Sequence, residues 1–248
     1  MTVLLAVFVG IALGMLGGGG SILTVPLLVY VADLPTKEAI ATSLLVVGVT
    51  SAVGVVSHAR AGRVQWRTGV LFGAAGLVGA YVGGRLAEYV PGGLLLVAFA
   101  LMMLATAVAM LRGRKEPDPE KAPESVPVKR VLVDGVVVGL VTGLVGAGGG
   151  FLVVPALALL GGLPMPVAVG TSLLVIAMKS VGGLAGYLSS VHIDWSLAAF
   201  VTLASVVGSL VGARLAGAVD PARLRKGFGW FVLVMGTFVL AQQVFASV

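Results

Sequence analysis

The 248-residue chain contains no cysteine, which excludes disulfides, thiolate metal sites and cysteine nucleophiles and leaves the redox compartment open. Charge is scarce as well: 10% of the residues are Asp, Glu, Lys or Arg, against roughly a quarter in a soluble domain. The two histidines, His58 and His192, read as loop residues with nothing nearby to complete a metal site or a catalytic pair. Asp33, Glu38, Glu88, Asp134, Asp194 and Asp220 fall near segment ends or in loops, so no carboxylate relay or sodium cage is placed deep in an apolar segment. No enzyme activity, metal or cofactor is therefore expected. Nucleic acid is not an expected partner either, because the basic residues sit in short loops, where they encode membrane orientation.

Apolar residues are what the chain has in excess. They make up 58% of it, and mean hydropathy is +1.12. Apolar segments run approximately over 2–32, 37–58, 66–87, 91–111, 131–160, 165–188, 195–216 and 221–246. Runs of about 20 apolar residues are long enough to cross a bilayer as helices. They lack the alternation of barrel strands, and only helices and closed barrels satisfy their backbone in lipid. The fold class is an all-α polytopic membrane protein. Residues 1–8 carry no basic stretch, so no cleaved signal peptide is expected.

The chain also repeats itself at an offset of 129 residues. Gly17/Gly146, Gly19/Gly148, Pro26/Pro155, Thr42/Thr171, Ser43/Ser172, Ser51/Ser180, Trp66/Trp195, Gly79/Gly208, Gly83/Gly212 and Arg85/Arg214 all align without a gap. The duplication divides the chain into a first transmembrane repeat (1–111), a charged, Pro-rich linker (112–130) and a second repeat (131–248). Internal duplication is a mark of secondary transporters, whose substrate sites lie where the repeats meet.

The first segment of each half is too long for a simple crossing. Residues 3–31 would form a helix of about 43 Å against a hydrocarbon core of about 30 Å. Each such segment is interrupted by glycines, at 17–20 and 148–150, with Pro26 or Pro155 just beyond. It is either a long kinked helix or a re-entrant hairpin, and the loop charges discriminate. If all eight segments span, Lys and Arg divide 9:6 between the two faces; if the first segment of each half re-enters, the division is 13:2, with Lys179 left inside. The positive-inside rule selects the second arrangement. Equivalent loops also carry opposite bias: 58–67 holds three Arg and its counterpart 187–196 none. The expectation is two inverted repeats, each a Gly-broken re-entrant hairpin plus three transmembrane helices, with the linker cytoplasmic and both termini outside.

In such a hairpin the second arm begins at the glycines, near the bilayer middle, with free backbone N–H groups and the positive end of a helix dipole. That makes Gly18, Gly19, Gly20, Ser21, Gly148, Gly149 and Gly150 candidate anion-binding residues. The alternative is that these glycines only permit tight helix packing. Neither run is a nucleotide motif: no Gly-Lys-Ser/Thr follows the first, and the second lacks a third glycine and βαβ flanks. Thr42, Ser43, Thr171 and Ser172 either donate to an oxyanion at the tips or bond back to their own helix. Lys179 lies deep in its segment and has Thr50 as repeat mate; it either raises affinity for an anion or pairs with carbonyls. Arg85 and Arg214 end helices bearing Gly-x-x-x-Gly and read as interfacial anchors, as do Trp66, Trp195 and Trp230.

Taken in order, Gly17–Leu27 with Ala41–Leu44, Gly148–Pro155 with Gly170–Leu173, Gly183-x-x-Gly-Tyr-Leu188, Ile193–Trp195 and Gly208-x-x-x-Gly-Ala-Arg214-Leu resemble the TauE/SafE sulfite exporter family, also called the toluene-sulfonate uptake permease group. The resemblance covers nearly the whole chain. It implies transport of a sulfur-containing anion (sulfite, thiosulfate or an organosulfonate) across a prokaryotic cytoplasmic membrane; the residues themselves argue only for a small anion. The expected partners are that anion and the lipid bilayer, and the sequence leaves room for a homodimer. An anion channel using the same tips as a filter is the competing reading.

Overall fold

The computed structural model describes residues 2–16, 21–112, 128–145, 152–154, 157, 163, 165–215 and 221–246. Gly18, Gly19, Gly20, Gly148, Gly149, Gly150 and linker residues 113–127 lie outside the described residues. Every regular element among the described residues is helical: α1 (Thr2–Leu16), α2 (Thr24–Tyr30), α3 (Thr36–Arg60), α4 (Trp66–Leu86), α5 (Gly92–Arg112), α6 (Val128–Val145), α7 (Met165–Tyr187), α8 (Trp195–Leu215) and α9 (Pro221–Ala246).

Local chemistry sets several of the boundaries. Gly62, at φ +68°, ends α3: its N–H reaches Ala59 O, and the Arg63 N–H reaches His58 O. That pair of bonds is a Schellman closure, which needs a left-handed residue in the position glycine takes most easily. The Asp194 carboxylate opens α8 by accepting from the N–H groups of Ser196 and Leu197 at 2.9 and 3.1 Å. At the equivalent start of α4 there is no such carboxylate, and the Gln65 N–H instead reaches across to Thr171 Oγ1 at 2.9 Å.

Among the described residues, five helices are long and apolar enough to cross a membrane: Thr36–Arg60, Trp66–Tyr89, Gly92–Ala109, Val167–Tyr187 and Trp195–Gly212. The chain is thus a multi-pass membrane protein. The 26-residue α9 carries a shorter apolar stretch, Val232–Gln243. Helix α1, with 15 residues, is about 22 Å long and falls short of a bilayer. Large apolar side chains such as Val78, Phe200, Leu203 and Val207 point outward, as lipid-facing residues do; Trp66 and Trp195 are exposed at helix starts, and Trp230 is exposed further along α9.

The halves are interleaved. Helix α6 of the second half packs along α4 of the first, and α1 of the first along α8 of the second. Both contacts rest on Gly-x-x-x-Gly. A Cβ at Gly79 or Gly83 would collide with the carbonyl of Val136 or Leu140, and one at Gly208 or Gly212 with that of Val7 or Ile11. These two sets of partners are related by the same offset of 129 residues that relates the sequences. Small residues let backbones approach, and in lipid such packing carries helix association.

Helix direction follows from which residues face each other. Phe72, Gly76 and Ala80 face Gly135, Gly139 and Gly143 in order, so α4 and α6 are parallel. Gly69, Gly73, Leu77 and Tyr81 face Leu174, Met178, Gly182 and Gly186, so α4 and α7 are parallel too. Helices α3 and α7, which are repeat mates, are antiparallel: Leu44 faces Gly183, Gly48 faces Ser180 and Leu173 faces Gly54. The last helices of the halves, α5 and α9, pack on each other, with Gly236 against Met103 and Leu104.

Candidate substrate site

Lys179 sits near the middle of α7 and is 1% exposed. Its stem passes the bare backbone of Gly76, the central residue of α4, where a Cβ would fall 2.7 Å from Lys179 Cδ. Its ammonium then donates to Thr142 Oγ1 on α6 at 3.3 Å. Thr142 turns its own proton to Val138 O at 2.7 Å, which leaves an oxygen lone pair for the lysine. The partner is neutral. A lysine at this depth, desolvated and with no counter-charge shown beside it among the described residues, is costly to keep.

The repeat mates show how this arrangement arose in one half only. Thr50 stands where the second half has Lys179, is too short to reach across, and bonds back to Val46 O at 2.7 Å. Ser205 stands where the first half has Gly76, and its hydroxyl donates to Ala6 O at 3.2 Å. The long lysine and the missing side chain opposite it belong together.

The Thr-Ser pairs are all buried. Ser43 Oγ donates to Ile40 O at 2.8 Å and Ser172 Oγ to Val169 O at 2.7 Å, the local back-bonding that the sequence left open as an alternative. Thr171 Oγ1 is the acceptor for Gln65 noted above, tying the start of α4 to α7. Ser21 and Thr42 are buried, Ser21 in the short turn that precedes α2.

Helix α6 also reaches further than a half-depth arm. Leu140 lies beside Gly83 near the end of α4, and Leu144 O accepts from the hydroxyl of Tyr187, the last residue of α7, at 2.6 Å. With 18 residues, α6 is about 27 Å long, so its last described residue, Val145, lies toward one end of the bundle, beyond its middle. In the other half, Gly14 near the end of α1 lines a crevice with Ser57 and His58 at the end of α3, the opposite end of the bundle. This crevice of about 10 Å³, room for about one water, is also lined by Gly54, Leu173 and Thr50. Tyr187 occupies the position equivalent to His58 and is fully buried, so the two ends of the bundle are sealed unequally.

Sequence reasoning singled out neither Thr142 nor two serines that the structure makes conspicuous. Ser51 and Ser180 are buried, and their hydroxyl oxygens have no hydrogen-bond partner; Thr24 on α2 shares this condition. An unpaired buried hydroxyl costs about 1–3 kcal/mol. Ser51/Ser180 was visible as a repeat pair, but absence of a back-bond is a property of side-chain conformation and leaves no trace in sequence. The described residues hold no group of three His, Cys, Asp or Glu able to bind a metal.

Comparison with known proteins agrees with this architecture. Residues 2–239 match the family described as sulfite exporter TauE/SafE. A probable membrane transporter protein of Xylella fastidiosa (strain Temecula1) is 34% identical over 94% of this chain and 91% of its own length. The probable membrane transporter protein YdhB of Bacillus subtilis is 28% identical over 97% of this chain and 100% of its own. One from the archaeon Methanocaldococcus jannaschii is 29% identical over 95% and 94%. No solved structure matches the chain.

Proposed function

The chain belongs to the sulfite exporter TauE/SafE family and is a membrane transporter, not an enzyme; from that premise we propose that it is a secondary transporter of a small sulfur-containing anion, held at mid-depth between the two halves. Sulfite, thiosulfate and organosulfonates are the substrates proposed, and a prokaryotic cell membrane is the proposed location. The observation that carries the reading is Lys179, a buried lysine whose ammonium meets only a threonine hydroxyl among the described residues. An anion beside it supplies the missing counter-charge.

The proposed topology is the inverted repeat with re-entrant hairpins. Its support is directional. Helices α6 and α7 both run parallel to α4, so the chain between Val145 and Met165 returns to the end of the bundle where α6 began. Repeat mates α3 and α7 are antiparallel, and their contacts come in matched pairs: a Cβ at Gly54 lies 3.2 Å from Leu173 Cδ1, and one at Gly183 lies 3.2 Å from Leu44 Cδ1. A twofold axis in the membrane plane generates such pairs. The two hairpins then enter from opposite faces, and the end carrying Arg60 and Arg63, where the crevice lies, is cytoplasmic.

The test is a thermal-shift titration in detergent with sulfite, thiosulfate, methanesulfonate and toluenesulfonate against chloride and acetate. The wild-type protein is expected to be stabilised by one or more of the sulfur anions. Lys179→Met is expected to lose that response while melting at the same or a higher temperature without ligand, since a desolvated charge is removed. A lowered melting temperature with the ligand response intact would reduce Lys179 to a structural pairing. Counterflow and saturation in proteoliposomes separate a transporter from a channel.

A further inference from the structure

Resting on that transporter reading, we propose that Ser51 and Ser180 are substrate-binding residues, each donating its hydroxyl to one oxygen of the sulfur oxyanion where α3 crosses α7. The first observation is their exceptional state. Ser43, Thr50 and Ser57 on α3 and Ser172 on α7 bond back to their own turn. The hydroxyls of Ser51 and Ser180, residues at 0% and 1% exposure, make no hydrogen bond. Their protons are free for a ligand at the cost of being unpaired without one.

The second observation is position. The two serines are repeat mates, one from each half. Ser180 faces Gly48 across the crossing, where a Cβ on the glycine would lie 2.9 Å from Ser180 Cβ. Ser51 lies three residues further along α3, about 4.5 Å of rise and close to one turn, so it shares the face Gly48 presents. Thr50, the residue next to Ser51, lines the water-sized crevice together with Gly54 and His58.

When two inverted halves exchange conformations, the surroundings of Ser51 become those of Ser180 and the reverse. A ligand held by this pair therefore meets the same two donors in either access state. Two equivalent hydroxyl donors select a ligand with at least two equivalent oxygens, which sulfite, thiosulfate and sulfonates all offer. Lys179, adjacent to Ser180 in sequence but turned toward α4 and α6, has no such symmetry and contributes charge.

The experiment is anion affinity and ligand-free melting temperature for Ser51→Ala, Ser180→Ala and the double variant, with Lys179→Met in parallel. Sulfite, thiosulfate, methanesulfonate and toluenesulfonate serve as probes. Alanine keeps the close crossing and removes only the hydroxyl. Each single variant is expected to bind roughly three- to ten-fold more weakly, the worth of one hydrogen bond, and the double variant by about the product. Melting temperatures without ligand should be unchanged or raised. Ser180→Cys, which is slightly larger and a weaker donor, should fall between wild type and alanine. Unchanged affinity in the double variant overturns the proposal, as does a loss of affinity seen only together with a lowered ligand-free melting temperature. If Lys179→Met loses binding while both serine variants keep it, the transporter reading stands and the serine pair falls. If the wild-type protein binds none of the four probes, both fall.

Discussion

The fit between Gly76 and Lys179 can be measured as an interaction energy. Gly76→Ala adds one methyl, 2.7 Å from Lys179 Cδ and 2.8 Å from Lys179 Cγ. These are mid-stem atoms of a side chain 1% exposed, so the stem cannot swing into solvent and must drag the ammonium away from Thr142 Oγ1. Overpacking of this kind costs about 1–3 kcal/mol. For a chain of this size that is roughly 2–4 °C of melting temperature per kcal/mol. The third atom near the new methyl, Gly135 O at 3.4 Å, is at ordinary contact distance and adds no penalty. With Lys179→Ala in the background, the same methyl enters vacated space, and Gly76→Ala should cost nothing or stabilise. The expected coupling between the two sites is therefore about 1–3 kcal/mol, read from melting temperatures of the four members of the cycle. Anion affinity supplies a second reading, because Gly76→Ala should weaken binding in the Lys179 background only. If Gly76→Ala costs the same with and without the lysine, the geometry described for this pair is wrong.

The glycine pairs at the two exchanged contacts should behave alike. Gly83→Ala and Gly212→Ala both drive a methyl into backbone, of Leu140 and of Ile11, and should each destabilise by about 1–3 kcal/mol or more, whereas Gly227→Ala, with open space around it, should be neutral or stabilising in thermal melts. A large effect at one glycine of the pair and none at the other would contradict the equivalence of the halves. Topology is directly accessible because the chain has no native cysteine. Single cysteines at Lys115 and Arg223 should label from the same, cytoplasmic side, and labelling from opposite sides would exclude re-entrant hairpins.

Much of this protein was legible in its sequence. Length and apolarity dictate membrane helices, since lipid offers no partner for an unpaired backbone. The offset of 129 residues announced two equivalent halves, and Gly79, Gly83, Gly208 and Gly212 announced close helix contacts. What a repeat cannot announce is which half each glycine pair faces. The structure sends both pairs across the repeat boundary, α4 to α6 and α8 to α1.

The site divides in the same way. Lys179 was conspicuous in sequence because a lone cation in an apolar run is rare, and its depth followed from counting residues to the segment ends. Its partner was not: Thr142 lies 37 positions away on a helix from the same half, and the gap at Gly76 that admits the stem belongs to the other half. The Thr-Ser pairs carried a clear signal as repeated residues, yet whether a hydroxyl turns back to its own helix or outward depends on rotamer and neighbours. Ser43 and Ser172 turned back; Ser51 and Ser180, equally repeated, did not. Composition and periodicity determine which segments enter the membrane, because transfer free energy sums along a chain. Tertiary structure alone decides which polar groups are left unpaired there, because pairing depends on residues that only the fold brings within 3 Å or so of one another.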